Sequence, residues 1–263
     1  MSVATSNAVR AVAITQPVSG RVFLTAQWRA LAMLNWKVPA EVLEPYVPRG
    51  TELDFHHGET YVSIVGFMFL DTRLLGVPIP FHRNFEEVNL RFYLRREVAG
   101  EVYRGVAFIR EVVPRWAVST VARLAYNEQY VCLPMMSKRE RYTMGTADSA
   151  GASPKVEYAW RYRGTWCGIQ MECACQRGPL LPGSEEEFIA EHYWGYSRQR
   201  DGSTKEFRVE HAPWEYWPAE SASISGPVPQ FYGPKFAETL SRPPDSAFLA
   251  DGSAVKVYQP RRL

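Results

Sequence analysis

Short apolar segments separated by turn residues recur along the chain, which is the pattern of a β-rich protein. Residues 29–38 form an apolar run, and residues 61–70 (YVSIVGFMFL) are apolar at both alternating positions, which predicts a strand covered on both faces. A further apolar strand is predicted over 102–113. Alternation over 156–162 and 167–175 predicts a hairpin.

Three helices are indicated between these strands. Pro39 opens a short helical segment after the first apolar run, and Pro114 opens a second helix. Ser184 and Glu187 form an S-x-x-E capping box, which predicts a helix over 185–193.

Residues typical of turns lie between the predicted strands and helices. Gly164 supplies the positive φ of the hairpin turn, and the pairs Asp201-Gly202 and Asp251-Gly252 predict two further hairpin turns. The Gly/Ala/Ser-rich stretch 145–153 is expected to be a loop. The fold class expected from the whole pattern is α+β, mainly antiparallel β.

Composition indicates a single folded domain. The chain has 263 residues, of which 46% are hydrophobic and 22% charged, as in globular proteins. No repeat of fixed period is visible. We expect a mobile N-terminal tail over 1–20 and one domain over 21–263.

Charge and cysteine content narrow the function classes. The formal net charge is only +2 and no dense basic run occurs, so no nucleic-acid partner is expected. No segment approaches the roughly 18 apolar residues of a spanning helix, so no membrane association is expected. The four cysteines have no arrangement typical of a disulfide framework, which favours a reducing cytoplasm.

Several standard sites are absent from the sequence. It contains no C-x-x-C pair, H-E-x-x-H, G-x-S-x-G, G-x-G-x-x-G after a strand, or P-loop. The pair His56-His57 lies in a segment typical of a solvated turn. We expect neither a bound metal nor a cofactor.

The most concentrated polar chemistry lies in the segment 81–95 (FHRNFEEVNLRFYLR). Its odd positions from 87 to 95 are polar or aromatic and its even positions are apolar, which predicts a strand with two different faces. The alternation fits an exposed strand face and a pocket lining equally well. In a pocket, each charged side chain would need a partner, because an unpaired buried ion costs several kcal/mol. The candidate ligand-binding residues here are His82, Asn84, Glu86, Asn89 and Arg91, with Glu87 as a candidate catalytic carboxylate.

Two further candidates follow Pro114. Arg123 lies in an otherwise apolar helical pattern and could clamp a carboxylate with its planar fork of donors, although a surface ion pair is the alternative. Tyr126 follows it and joins the ligand-binding set. His192, at the end of the third helix, fits a packed or capping residue better than a base.

Several longer motifs resemble a known family. The segments LAMLNW, LEPYVPRGTELD, YVSIVGFMFLDTR, GVPIPFHRNFEEVNLR, EHYWGY and SAFLADGS are similar to the YqjF-like group of uncharacterised conserved proteins, over about residues 22–263. The fold of that group is similar to that of acetoacetate decarboxylase. The resemblance implies a cone- or barrel-like β structure with an internal cavity and a few packed helices.

The resemblance also implies roles for particular residues. Acetoacetate decarboxylase uses a lysine with a lowered pKa that forms a Schiff base with its substrate. An approximate alignment puts Tyr130 and Val131 at its lysine pair, and none of the six lysines of this chain lies in a central apolar strand. Imine chemistry is therefore not expected, while Tyr130 could act as a hydrogen-bond donor or acid. The glutamate of the relative's site corresponds to Glu86 or Glu87, and strand parity favours Glu87.

Three functions remain open on these grounds. The first is an internal polar-lined pocket for a small organic acid or carbonyl compound, without a Schiff-base lysine. The second is a lyase-type enzyme that uses Glu87 and Tyr130 for decarboxylation, enolisation or hydration. The third is a non-catalytic assembly protein, for example a homo-oligomer, whose partner packs on the aromatic residues Trp214, Tyr216, Trp217, Phe231 and Tyr232.

Overall fold

The structure is a computed structural model that describes residues 20–115, 129–140, 142 and 153–263. The predicted N-terminal tail and the predicted loop at 145–153 lie almost entirely outside the described residues. The predicted helix after Pro114 lies outside them as well, with the candidates Arg123 and Tyr126.

The described residues form sixteen β-strands. Their bounds are β1 Val22–Val38, β2 Glu52–Leu53, β3 Thr60–Leu74, β4 Val77–Pro78, β5 Phe85–Val98, β6 Glu101–Val113, β7 Tyr130–Cys132, β8 Met135–Glu140, β9 Lys155–Tyr162, β10 Thr165–Cys173, β11 Gly178–Pro179, β12 Trp194–Arg198, β13 Thr204–His211, β14 Glu215–Ser225, β15 Ser246–Tyr258 and β16 Arg261–Arg262.

Short helices connect some of these strands. The described part of the chain contains α1 Ala40–Leu43, α2 Glu185–Ala190, α3 Val228–Tyr232 and α4 Pro234–Leu240, and a 3-10 helix over Glu44–Tyr46. None of these helices is both long enough and apolar enough to cross a membrane. The four cysteines are all free.

Seven strands pair into a closed ring. Pairing runs from β1 through β3, β5, β6, β12, β13 and β15 back to β1. The pairs of β6 with β12 and with β7 are parallel, and the other strand pairs are antiparallel. The expected α+β class with mainly antiparallel strands is confirmed.

An outer sheet covers one side of the ring. It continues from β15 through β14, β10 and β9 to β8. The two layers approach closely at Gly66, where an added Cβ would lie 2.7 Å from Tyr158 and 2.8 Å from Ile169. The Tyr158 hydroxyl donates a hydrogen bond to Ala30 O in the ring at 2.8 Å. Strand β3 therefore has protein on both faces, as its doubly apolar pattern predicts.

Two local sequence signals correctly predicted elements of the fold. Strands β9 and β10 form the predicted hairpin, and its loop residues Arg163 and Gly164 both have positive φ. Helix α2 begins at the predicted box, where Ser184 Oγ accepts from Glu187 N at 3.1 Å. The helix ends at Ala190, three residues before the predicted end.

One predicted turn is wrong. Asp201-Gly202 does lie in the connection between β12 and β13, but Asp251-Gly252 lies within strand β15. Gly252 has φ +85°, and a Cβ there would lie 2.1 Å from Trp28 O on the neighbouring strand. The glycine permits a close approach of two backbones within the sheet.

The aromatic residues of the C-terminal half pack within the chain. Trp214, Trp217, Phe231 and Tyr232 are buried, and Tyr216 is half-buried. Phe231 and Tyr232 lie on α3 and contact the ring of Trp160 in the outer sheet. The surface invoked for the assembly hypothesis is thus occupied by this chain's own core.

Candidate functional site

A partly open cavity of about 250 Å³ lies inside the ring. Its walls are mostly apolar and aromatic. The described polar side chains in its lining come chiefly from β5, β6, β7 and the segment after α2. They are Thr72, Glu87, Asn89, Arg91, Glu111, Tyr130 and His192.

Strand β5 supplies three adjacent polar positions. Glu87 and Asn89 are buried and Arg91 is half-buried, and all three line the cavity. Because side chains alternate along a strand, Val88 and Leu90 project to the opposite face, where they join the core beneath the outer sheet. The alternation in the sequence thus separates a cavity face from a core face.

Glu111 on β6 is a second buried carboxylate in the lining, and sequence reasoning missed it. Strand pairing places Glu111 opposite Asn89 and Phe108 opposite Arg91, with an irregularity between them that leaves Ile109 as the extra residue. A bulge of this kind reverses the alternation. Regular alternation would place Glu111 and Phe108 on opposite faces, whereas both line the cavity.

Glu87 is held by neutral groups. Its Oε1 accepts from Asn89 Nδ2 at 3.0 Å, and its Oε2 accepts from the Tyr130 hydroxyl at 3.0 Å. Burial raises the pKa of Glu87 from 4.5 to about 7, although both hydrogen bonds favour the charged form and act in the opposite direction. Glu87 can therefore exchange a proton near neutral pH.

Arg91 presents a cation to the same cavity. Its Nη2 donates to Ile189 O at 3.0 Å and its guanidinium lies 5.5 Å from the centre of the Tyr93 ring. In the described part of the chain, none of its polar contacts is with a carboxylate. The guanidinium therefore keeps donors for an anion.

His192 also lines the cavity, although the sequence favoured a packing role. Its side chain is 1% exposed, and Nε2 lies 3.5 Å from Asp54 Oδ2. Burial lowers the pKa of His192 to about 4, so the ring is neutral at neutral pH. Asp54 is in turn fixed by Arg104 Nε, which donates to its Oδ2 at 2.7 Å.

Buried polar atoms without a hydrogen-bond partner gather around this cavity. Buried polar groups in folded proteins nearly always have partners, so such a cluster calls for a physical reason. Within the described residues, the unpartnered atoms of the lining are Trp28 Nε1, Thr72 Oγ1, Asn89 Oδ1, His192 Nδ1 and Trp194 Nε1. These groups could bind a polar molecule inside the ring.

Three candidates from the sequence are not brought to the cavity. His82 and Asn84 lie in the loop before β5, where Asn84 Oδ1 accepts from Asp71 N at 2.9 Å. Glu86 projects to the outer face of β5 and accepts from Ser137 Oγ at 3.0 Å. The cavity lining therefore contains Glu87, Asn89, Arg91 and Tyr130 from the predicted set, while Arg123 and Tyr126 lie outside the described residues.

Lysines are absent from the cavity lining. All six fall within the described residues, and each is exposed or half-buried. They are Lys37, Lys138, Lys155, Lys205, Lys235 and Lys256. The same part of the chain contains no cluster of three or more His, Cys, Asp or Glu side chains suited to a metal ion.

Solved structures share this architecture. The chain is similar to acetoacetate decarboxylase from Legionella pneumophila, with 11% identity and a TM-score of 0.63 over 99% of this chain and 98% of that chain. It is also similar to the enduracididine biosynthesis enzyme MppR complexed with pyruvate, with 11% identity and a TM-score of 0.60 over 95% and 93% of the two chains. At such low identity, these likenesses show the acetoacetate-decarboxylase-like fold alone.

The sequence comparisons give the family. The uncharacterized protein YqjF of Bacillus subtilis is 25% identical over 207 residues, which cover 78% of this chain and 80% of YqjF. The model of the family DUF2071, described as an uncharacterized conserved protein, matches residues 25–254. The chain therefore belongs to the DUF2071 family.

Proposed function

We propose that the chain binds a small organic acid or carbonyl compound in the cavity of the ring. The observation that carries this proposal is Glu87, a buried carboxyl group that faces the cavity and is held by Asn89 and Tyr130 without a cationic partner among the described residues. Desolvating such a group costs free energy, and carboxyl groups with raised pKa values are concentrated at functional sites.

Arg91 is the proposed anchor for a carboxylate. A guanidinium offers paired donors in a plane, which match the two oxygens of a carboxylate. Arg91 lies two positions beyond Asn89 on the same face of β5. A short acid bound there would place its neighbouring carbonyl toward Asn89 and Glu87.

Glu87 and Tyr130 are proposed to contact that carbonyl. Protonated Glu87 can donate a hydrogen bond to an oxygen, whereas ionised Glu87 can accept a proton. Its raised pKa of about 7 makes both forms accessible near neutral pH. Tyr130, which donates to Glu87, supports the charged form.

This binding does not use an imine. A Schiff base requires an amine in the cavity, and none of the lysines lines it. MppR, which shares the fold, is described as complexed with pyruvate, so a keto acid suits a ring of this architecture. We propose non-covalent capture of a comparable acid here.

A catalytic version of the proposal is supported by the raised pKa of Glu87. A base with a pKa near the working pH can remove a proton next to a carbonyl, and Tyr130 can supply a proton to the oxygen of the resulting enolate. Enolisation uses both of these transfers. Hydration would need Glu87 to take a proton from the attacking water, and decarboxylation would release CO2 and need a proton delivered to the carbon that carried it. The lyase-type alternative therefore uses the same two residues.

Binding is tested by thermal unfolding with pyruvate, acetoacetate and other short acids. A ligand at a hundred times its Kd adds about 2.7 kcal/mol of stability. Arg91→Ala should abolish the response, whereas Arg95→Ala, on the same strand but exposed and paired with Glu52, should keep it. Absence of any response from folded wild-type protein across the series would refute the proposal.

The role of Glu87 has a matched control one residue away. Glu87→Gln should weaken binding of a keto acid or stop exchange of its α-protons with deuterium, as followed by NMR, and Glu86→Gln should do neither. Borohydride added with the keto acid should leave the protein mass unchanged. A stable adduct on a lysine would overturn the non-covalent mechanism.

A further inference from the structure

The two sides of the cavity differ in chemistry. Adjacent strands β5, β6 and β7 supply Glu87, Glu111, Tyr130 and their polar neighbours. Strands β1, β13 and β15 supply only apolar and aromatic side chains to the lining. Those described are Phe23, Leu24, Trp28, Leu31, Phe207, Val209 and Val257.

Aromatic rings extend the apolar side along β3 and into β5. Trp28 meets Phe67 and Phe69 edge-on, with ring centres 5.4 and 5.8 Å apart. Phe69 stacks on Phe85 at 4.8 Å. Aromatic walls of this kind favour an aromatic guest, because edge-to-face and offset-stacked contacts add to the burial of apolar area.

The cavity is larger than a short acid requires. An apolar cavity of about 150 Å³ accepts benzene, and this cavity measures about 250 Å³. A phenyl-sized group can therefore be accommodated together with a short polar head. Pyruvate alone would contact the polar side and leave the space beside the aromatic walls unfilled.

We infer that the ligand is an acid with an apolar, preferably aromatic, tail: its carboxylate binds Arg91, and its tail packs between the β3 aromatic rings and Val209 on β13. This inference rests on the proposed function and narrows its substrate class. It predicts selection for 2-oxo acids with aryl or alkyl side chains over pyruvate.

A ligand series tests the tail directly. Titration calorimetry compares pyruvate, 2-oxobutanoate, 2-oxohexanoate and phenylpyruvate on the wild-type chain. Burial of one methylene should tighten Kd about fourfold, and burial of the phenyl ring should tighten it about 10- to 100-fold relative to pyruvate. Phenylacetone, which lacks the carboxylate, should lose most of that affinity.

A blocking variant locates the tail. Val209→Phe fills space on the apolar side and should reduce the ratio of the pyruvate Kd to the phenylpyruvate Kd at least tenfold. Val102→Phe makes the same change at an exposed position of β6 and should leave that ratio unchanged. If Val209→Phe does not fold, Val257→Phe replaces it, because Val257 pairs with Val209 and is half-buried.

The outcomes separate this inference from the proposed function. Equal Kd values for pyruvate and phenylpyruvate, or an unchanged ratio in the folded blocking variant, would overturn the tail assignment and leave acid binding intact. If no acid binds the folded wild-type chain, both proposals fail. Tail-dependent affinity that is lost in the blocking variant supports the inference.

Discussion

Two buried glutamates of this protein have opposite surroundings. Glu206 on β13 is fully buried and paired with two arginines: its Oε2 lies 2.9 Å from Arg96 Nη1 and its Oε1 lies 2.6 Å from Arg261 Nη2. Glu87 on β5 is almost as deeply buried but receives hydrogen bonds only from Asn89 and Tyr130 among the described residues.

The difference separates a buried carboxylate with cationic partners from one without them. Two cations offset the desolvation of Glu206, so its charge belongs to the packing of the ring wall. Neutral donors offset only part of the desolvation of Glu87, and its pKa rises accordingly. Burial of a carboxylate alone does not support a site, whereas a buried carboxylate that faces a cavity without a cation is what supports the proposal for Glu87.

The largest expected effect is on stability when each glutamate is made neutral. At pH 8, Glu206→Gln should lower the free energy of unfolding by about 3 kcal/mol, because it breaks a buried ion pair. Glu87→Gln should leave the free energy of unfolding unchanged or raise it. The Asn89 side chain can rotate so that its unpartnered Oδ1 accepts a hydrogen bond from the amide nitrogen of the new glutamine. Urea unfolding measures both, and equal losses in the two variants would remove the distinction.

The pH dependence of stability should be of similar size. Between pH 4.5 and about 7 the folded chain keeps the Glu87 proton that the unfolded chain has lost, so this group lowers stability as pH rises. The free energy of unfolding should fall by roughly 3 kcal/mol over this range, because the pKa of Glu87 differs between 4.5 in the unfolded chain and about 7 in the folded chain. Wild-type stability should therefore fall over this range relative to Glu87→Gln, as measured by urea unfolding at several pH values.

Two buried histidines also make the stability of the wild-type protein depend on pH, so the effect of Glu87 has to be measured as a difference from Glu87→Gln. Burial lowers the pKa of His192 and of His211 to about 4, so each adds stability that is present above pH 6.5 and lost as pH falls toward 4. Their contribution has the opposite sign to that of Glu87. It is common to wild type and Glu87→Gln and cancels in the difference, so a flat difference curve would contradict the raised pKa of Glu87.

The fold was predictable where signals are local. Alternation over 87–95 correctly predicted the two faces of β5, and the capping box at Ser184 correctly predicted the start of α2. The turn predicted from Asp251-Gly252 was wrong. A glycine with positive φ occurs in tight turns, but it also occurs within strands where another backbone lies close. Only the position of Trp28, more than 200 residues earlier, decides between these structures.

The candidate site was predictable only in part, because the residues that line its cavity come from distant segments of the chain. Alternation groups Glu87, Asn89 and Arg91, but a face inside a ring and a face in water give the same pattern. Glu111 was missed because the bulge at Ile109 reverses the alternation of side chains along β6, and a bulge cannot be detected from the sequence pattern. His192 lines the cavity because the strand that follows it, β12, pairs in parallel with β6. No local sequence signal predicts this pairing.

The smallest expected effect comes from the hydroxyl that joins Tyr130 to Glu87. Tyr130→Phe should cost about 1 kcal/mol, and more above pH 7, where the bond is made to a charged carboxylate, than at pH 5. The midpoint of the Glu87-linked stability change should move to higher pH, because a donor to the charged form is lost. Tyr196→Phe is the matched control, since its hydroxyl donates to Tyr103 O beside the paired Glu206. If both variants gave the same midpoint as wild type, Tyr130 would not set the proton affinity of Glu87, and the two glutamates would differ through their cations alone.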